Sequence, residues 1–333
     1  MDFLARFFDE ARRGDNTVVL PEGSDPRVIA AARRLVDERI ATPIVLGNPE
    51  EIAQAAAEAE VALDGVQTLD PAGSERLESF TAAYAALRGL NERVAKRMVA
   101  RPLVFGGMMV KQGQADTMVA GVRTATANVI QAGALTVGYA AGITTVSSFF
   151  LMLVPEFRGR PSYPLIFADC AVNIAPTPEQ LADIALASAA SAAKLLDEEP
   201  RVAMLSFSTQ GSAAHDRVDH VTRALEIVRQ RAPEARIDGE FQADSALMPQ
   251  VAAKKLKRPS AVAGGANVLI FPDLNSGNIG YKLTQYLAGA RAIGPFLQGF
   301  AKLVSDLSRG ASLDDILATV AVCLAQKSGA AAG

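Results

Sequence analysis

Cysteine and histidine are scarce in this chain, with two of each among 333 residues. Cys170 and Cys323 stand far apart, and neither has a neighbouring ligand at metal-site spacing, which argues against a disulfide framework or a structural zinc. Cys170 follows Asp169 at the end of a strand-like run, Cys323 sits in an apolar helical stretch, and both read as small core residues. His215 and His220 suit a solvated helix face better than a metal site. An excess of either charge is also missing. Lys and Arg number 33 against 36 Asp and Glu, the net charge is −3, and the cations are scattered, which excludes a basic nucleic-acid-binding surface. Apolar runs are broken by Gly, Ser or Thr before reaching the roughly 18–20 residues that span a bilayer. The segment Met1 to Glu10 alternates apolar and charged residues like an amphipathic helix and lacks the basic-then-apolar order of a signal. A cytoplasmic protein without membrane contact is expected. There is no G-x-G-x-x-G fingerprint, internal repeat or low-complexity linker.

Apolar residues, by contrast, make up 50% of the chain, enough to fill two cores, and the length points to two domains. Asn16 to Pro21 reads as a strand, after which Ser24 or Asp25 can cap a helix with Pro26 at its first position. Pro43 to Gly47 followed by Asn48-Pro49-Glu50-Glu51 repeats the arrangement. Further strands are expected at 117–120, 144–150, 165–168, 202–207, 268–271 and 292–294, separated by Ala-rich helices such as Glu179 to Leu196. Such alternation is the mark of an α/β protein with mostly parallel sheets flanked by helices.

The segment Asp306-Leu307-Ser308-Arg309-Gly310-Ala311-Ser312-Leu313-Asp314-Asp315 gathers a guanidinium, hydroxyls and carboxylates around one glycine turn. Acyl transfer involving phosphate needs a cation for the phosphate, a donor for the developing oxyanion and a carboxylate for the proton. Ser312 and Asp315 also fit a helix capping box, a reading that leaves Ser308 and Arg309 unexplained. Three further stretches run from a strand into a polar loop. Phe167 to Thr177 includes Asp169, which can close a turn, and Asn173, which has no evident structural duty. Leu205 to Ala213 is a hydroxyl-rich glycine loop, whose Ser208, Gly211 and Ser212 can meet phosphate or pantetheine groups. Phe271 to Lys282 presents Asn275 and Asn278, either as donors or as loop residues that tolerate a left-handed backbone.

These strings, together with Pro102 to Gly121, resemble the motifs of phosphate acetyltransferases (phosphotransacetylases) in the phosphate acetyl/butyryl transferase family, over most of the chain. The resemblance implies two α/β domains, 1–142 plus 295–333 and 143–294, with an interdomain cleft and an isocitrate/isopropylmalate dehydrogenase-like fold. It implies reversible acetyl transfer between CoA and inorganic phosphate, with acetyl phosphate as the other product, by direct attack in a ternary complex. Neither metal nor cofactor is needed, and a homodimer or larger homo-oligomer is expected. Ser308, Arg309 and Asp315 would be catalytic, as hydrogen-bond donor, phosphate-binding cation and proton acceptor. Arg88, Gln131, Asn173, Ser208, Gly211, Ser212, Asn275 and Asn278 would contact substrate. Propionyl or butyryl transfer, or a catalytically weak CoA-binding regulatory domain, are the alternatives. The chain departs from the family in lacking a Lys-His-Lys-Gly run after Arg88, in having Gln131 and Gly265 where basic residues are usual, and in Lys302-Leu303-Val304-Ser305. Arg123 is the nearest candidate to replace the charge absent at Gln131. Proton transfer from an ordinary thiol to an ordinary aspartate is uphill by about 6 kcal/mol, which Arg309 near the thiolate can offset at one end and desolvation of the carboxylate at the other.

Overall fold

The computed structural model describes residues 3–328; Met1 and Asp2 of the expected N-terminal helix, and 329–333 of the first expected domain, lie outside the described residues. Two compact units emerge, Met1–Ala141 with Phe300–Gly333, and Gly142–Gly299.

In the first unit α1 (Phe3–Arg13), β1 (Thr17–Leu20), α2 (Pro26–Asp37), β2 (Thr42–Leu46), α3 (Pro49–Glu58) and β3 (Gln67–Leu69) alternate. Their starts are locally encoded. Asp25 accepts from the Arg27 amide at 2.9 Å with Pro26 as first helical residue, and Asn48 does the same for Glu50 at 2.8 Å. Next come α4 (Leu77–Arg88), α5 (Glu92–Val99), α6 (Pro102–Lys111), β4 (Thr117–Ala120) and α7 (Thr126–Thr136).

The second unit contains β5 (Ser147–Phe157), β6 (Arg160–Ala168), α8 (Pro178–Leu195), β7 (Val202–Leu205), α9 (Asp216–Arg231), β8 (Ile237–Phe241), α10 (Ala243–Leu247), α11 (Pro249–Lys255), β9 (Val268–Ile270), α12 (Leu274–Leu287) and β10 (Arg291–Gln298). The chain then returns to the first unit as β11 (Leu303–Asp306) and α13 (Leu313–Ser328).

Among the described residues the first sheet has the order β11-β4-β1-β2-β3 and is parallel throughout. The second, β10-β5-β6-β9-β7-β8, is parallel from β6 to β8, while β10, β5 and β6 pair antiparallel. Register decides which loops meet. Asp306 pairs with Ala120 and Val19 with Met118, so the segments leaving β1, β4 and β11 emerge on one edge of the first sheet. Carboxyl ends of parallel strands are where α/β proteins bind ligands. In the second sheet Ala168 pairs with Ile270 and Ile270 with Met204, which likewise groups the segments after β6, β9 and β7.

Three expectations need correction. The strand expected at 144–150 starts only at Ser147, because the Thr144 amide and hydroxyl both bind the Asp183 carboxylate at 2.9 Å. Strands β3, β8 and β11 were not anticipated. Finally, Asn275 and Asn278 lie in α12 rather than in a loop. Asp273 caps that helix by accepting from the Ser276 amide at 2.9 Å, and the chain turns helical at once.

Candidate active site

Two charged residues organise the edge of the first unit. Glu22, nearly buried just beyond β1, accepts the amides of Gly121 and Val122 on one oxygen (2.8 and 3.0 Å) and of Arg123 and Thr124 on the other (3.0 and 2.8 Å). Arg27 grips Asp25 through Nε and Nη2 and donates to the carbonyls of Arg309 (2.9 Å), Ala311 (3.0 Å) and Val122 (3.3 Å). Burial pushes the Asp25 carboxyl up, but the Arg27 hydrogen bonds and charge outweigh it and hold it below its ordinary value. The turn after β11 is thereby tied to the loop after β4. Neither Glu22 nor Arg27 was singled out from the sequence; the only hint was two charged residues flanking the Pro21 to Pro26 turn.

On that turn Ser308 and Arg309 are exposed. The Ser308 hydroxyl oxygen accepts from the Gly310 amide at 3.2 Å, which leaves its proton available, and the Arg309 guanidinium has no hydrogen-bond or ion-pair partner among the described residues. Asp315 does form the capping box: its Oδ2 accepts from the Ser312 amide (2.9 Å) and hydroxyl (2.7 Å), and its own amide donates back to Ser312 Oγ (3.2 Å). Ser312 occupies one oxygen of the carboxylate, and the other has no partner among the described residues. Asp314 points its charge elsewhere, pairing with Arg34 at 2.8 Å.

Beneath the turn lies Asp306, 2% exposed. Burial raises its carboxyl to about 6, opposed by the Thr126 hydroxyl (2.5 Å) and the Leu307 amide and reinforced by the charge of Glu22. Its Oδ1 has no hydrogen-bond partner among the described residues. Gly121 makes this burial possible: at φ +125° it has a conformation L residues avoid, and a Cβ there would lie 2.4 Å from Asp306 Oδ1.

The remaining expected contacts of the first unit are Arg88 and Gln131. Arg88 is the exposed last residue of α4, ahead of Gly89 in a left-handed cap. Gln131, exposed on α7, lines a cavity of about 320 Å³ built wholly from first-unit residues. Arg123 does not line it; its guanidinium binds Ser24. The cation on that cavity is Arg101, which sequence reasoning missed.

In the second unit the expected contacts are more occupied than anticipated. Asn173 does have a structural duty: its side chain donates to Val146 O (3.0 Å) and to Asp169 (2.6 Å), while buried Asp169 gathers the amides of Ala171, Val172 and Asn173. Asn278 donates to Cys170 O at 3.2 Å, and the start of α12 packs so tightly there that a Cβ on Gly277 would sit 2.2 Å from Asp169 O. Asn275 alone among these is exposed and without a side-chain bond. In the hydroxyl loop, Ser208 is fully buried and donates to Glu240 (2.7 Å), which also takes the Gly211 amide (2.8 Å), and the Ser212 hydroxyl accepts from Thr209 N (3.0 Å). Those groups fix the loop's shape. Gly265, whose carbonyl accepts from Arg201 Nε, has a guanidinium beside it after all. Both cysteines are core residues. Burial, then Asp169, pushes the Cys170 thiol well up, and burial raises Cys323 to about 12, so neither is a ready nucleophile. His215 caps α9 by accepting from the Arg217 amide.

A buried acid, an exposed serine and an arginine without a side-chain partner among the described residues share one strand-end turn. The model of the phosphate acetyl/butaryl transferase family matches residues 2–324. A phosphate acetyltransferase of Thermoanaerobacterium thermosaccharolyticum is 45% identical over 98% of this chain and 99% of its own length. Among solved structures, a phosphotransacetylase from Streptococcus pyogenes superimposes with TM-score 0.89 at 39% identity, covering 98% of each chain. The EutD phosphotransacetylase from Staphylococcus aureus does so at 0.88 and 36%, covering 97% of this chain and 98% of its own. The chain belongs to the phosphate acetyl/butaryl transferase family. Its function is that of a phosphate acetyltransferase, an acyltransferase enzyme.

Proposed function

We propose that the acetyl group passes directly between CoA thiol and phosphate, in one complex that holds both substrates. Towards acetyl-CoA, the thiol sulfur attacks the carbonyl carbon of acetyl phosphate, the new C–S bond forms, and the C–O bond to phosphate breaks. The thiol proton passes to the free oxygen of Asp315 and on to the departing phosphate; the reverse direction retraces these steps. Arg309 binds the phosphate and offsets the charge that develops on the carbonyl oxygen, and Ser308 donates to that oxygen. The observation carrying this reading is the state of the 308–315 turn, whose backbone is pinned by Arg27 while its guanidinium and serine proton remain uncommitted. Preorganised donors of this kind need no rearrangement as charge develops.

Purified protein should form acetyl-CoA from acetyl phosphate and CoA, followed by thioester absorbance. Arg309→Gln and Asp315→Asn should each lower turnover by about two orders of magnitude or more. Absence of turnover in protein that demonstrably binds CoA would remove the reading. We place the reaction in the cytoplasm, which cell fractionation checks; no helix among the described residues is long and apolar enough to cross a membrane.

A homodimer is proposed from the outer face of α12, where Ile279, Leu283, Tyr286 and Leu287 are 57%, 52%, 78% and 81% exposed at helical spacing. An apolar stripe of this kind can pack against the same stripe of a second copy across a two-fold axis. Light scattering should report a dimer for the natural chain and a monomer for Leu283→Glu with Tyr286→Glu. A natural chain that is monomeric at micromolar concentration would refute it.

A further inference from the structure

The cavity lined by Gln131 contains a cation that the acyltransfer reading does not use. Among the described residues Arg101 is the only charged one on its wall, and no carboxylate lines it. Its guanidinium makes no ion pair or side-chain hydrogen bond among the described residues. The neutral polar lining, Thr124, Asn128 and Gln131, supplies further donors, and Leu103 and Leu135 contribute apolar wall. A volume of about 320 Å³ lies at the lower end of the range for small-molecule sites.

The backbone adds to the same sign. Arg101 to Val104 form the beginning of α6, and Thr124 and Asn128 bracket the beginning of α7, so two helix starts border one cavity. Neither has a side-chain cap, which leaves amide donors at both starts, although the carboxylates of Asp306 and Glu22 already meet the Thr126 hydroxyl and the Thr124 amide beside the second. A guanidinium forks across two phosphate oxygens, whereas an amide such as Gln131 donates to one without net charge.

We propose that Arg101 is the phosphate-binding cation of this cavity, acting together with Gln131 and Asn128 on a phosphoryl group carried by a substrate. The proposal rests on the acyltransfer reading for the identity of the ligand, and phosphoryl oxygens are common to two sources, the nucleotide end of CoA and acetyl or inorganic phosphate.

The test compares the natural chain with Arg101→Gln, Arg101→Lys and Arg101→Gln combined with Gln131→Arg. Calorimetric titration with CoA and with inorganic phosphate is run beside Michaelis constants for CoA and acetyl phosphate. Arg101→Gln should weaken one of the ligands by about 10–100-fold, the loss expected for a charge-assisted bidentate contact. Arg101→Lys should recover part of it, and Gln131→Arg should restore most of it, because that position lines the same cavity. An effect confined to CoA assigns the site to a nucleotide phosphate; an effect on acetyl and inorganic phosphate assigns it to the transferred group. Either supports the proposal. Unchanged binding and Michaelis constants in Arg101→Gln, with an unaltered thermal midpoint, overturn it, as does a loss that Gln131→Arg leaves unrepaired. Should the natural chain lack turnover, the function reading fails, yet calorimetry still decides whether Arg101 holds phosphate.

Discussion

Replacing Glu22 by glutamine changes one oxygen to an amide nitrogen, and the structure makes this near-isosteric change costly. The carboxylate accepts four consecutive amides, two on each oxygen, at 2.8–3.0 Å. A glutamine retains one oxygen, and its NH2 group then faces two N–H donors that have lost their acceptor. The buried amides of Gly121 and Val122 select the remaining oxygen, so the loss falls on Arg123 and Thr124, whose bonds are only partly buried. Two hydrogen bonds to a charged group are worth about 3–6 kcal/mol when buried. Water reaching Arg123 and Thr124 brings the expected destabilisation to the lower end, about 3 kcal/mol. Glu22→Ala should cost as much or more, because the two buried amides then lose their acceptor as well. Urea unfolding followed by far-UV circular dichroism measures this, with exposed Glu51→Gln on α3 as a control expected within about 0.5 kcal/mol. Thr124 lines the cavity, so Glu22→Gln should also raise the Michaelis constant of the ligand bound there. A Glu22→Gln loss below about 1 kcal/mol would mean that the four amides do not depend on the carboxylate, and the account of this edge would be wrong.

Arg27→Lys keeps the charge but not the fork, and one ammonium cannot reach Asp25 and the carbonyls of Val122, Arg309 and Ala311 together. Turnover should fall about tenfold or more through loss of positioning, with Michaelis constants changing less than kcat; a lysine variant with normal kcat contradicts the clamp. Asp306 should make stability depend on pH. Its folded value, raised from 3.8 to about 6, means the native state keeps a proton that the unfolded chain releases. Stability therefore falls as pH rises through that window, and above it the ionised group carries a constant penalty of about 3 kcal/mol, at about 1.4 kcal/mol per tenfold change in proton affinity. Asp306→Asn does not titrate, so its stability relative to the natural chain should improve by about 2 kcal/mol between about pH 4.5 and about pH 8. Parallel stability curves for the two proteins would show that Asp306 does not hold a raised value.

Two of the positions on which these predictions turn, Glu22 and Asp306, share a property with β8 and β11, two of the three strands that sequence reading missed. Strand β8 carries Asp238 and Glu240, both nearly buried, and β11 carries Ser305 and Asp306. Burying a carboxylate is unfavourable until partners are supplied. Those partners come from elsewhere: Arg229 and Arg258 for Asp238, Ser208 and Gly211 for Glu240, and Thr126 for Asp306.

What the amino-acid order determined by itself is what neighbouring residues settle among themselves. Asp25, Asn48 and Thr177 cap their helices as their local patterns indicate, and the apolar runs of β1, β2, β4, β7 and β9 form strands near the expected positions. The Ser312 and Asp315 box closes within three residues, and beside it Ser308 meets only the Gly310 amide while local structure has no use for the Arg309 guanidinium. Only the tertiary structure decided the rest. Glu22 meets its amides 99–102 positions along the chain, and Arg27 meets the carbonyls of Arg309 and Ala311 282–284 positions away. Parallel pairing of β1, β4 and β11 brings those segments to one edge, and no local periodicity encodes which strand lies beside which. The same holds for Asn173, which the sequence leaves free to bind substrate but Val146 and Asp169 hold, and for Arg101, which among the described residues becomes the one cation on a cavity wall. Caps and strands are fixed by short-range sterics and hydrogen bonds; the state of a charged or polar side chain depends on which distant groups folding brings within reach.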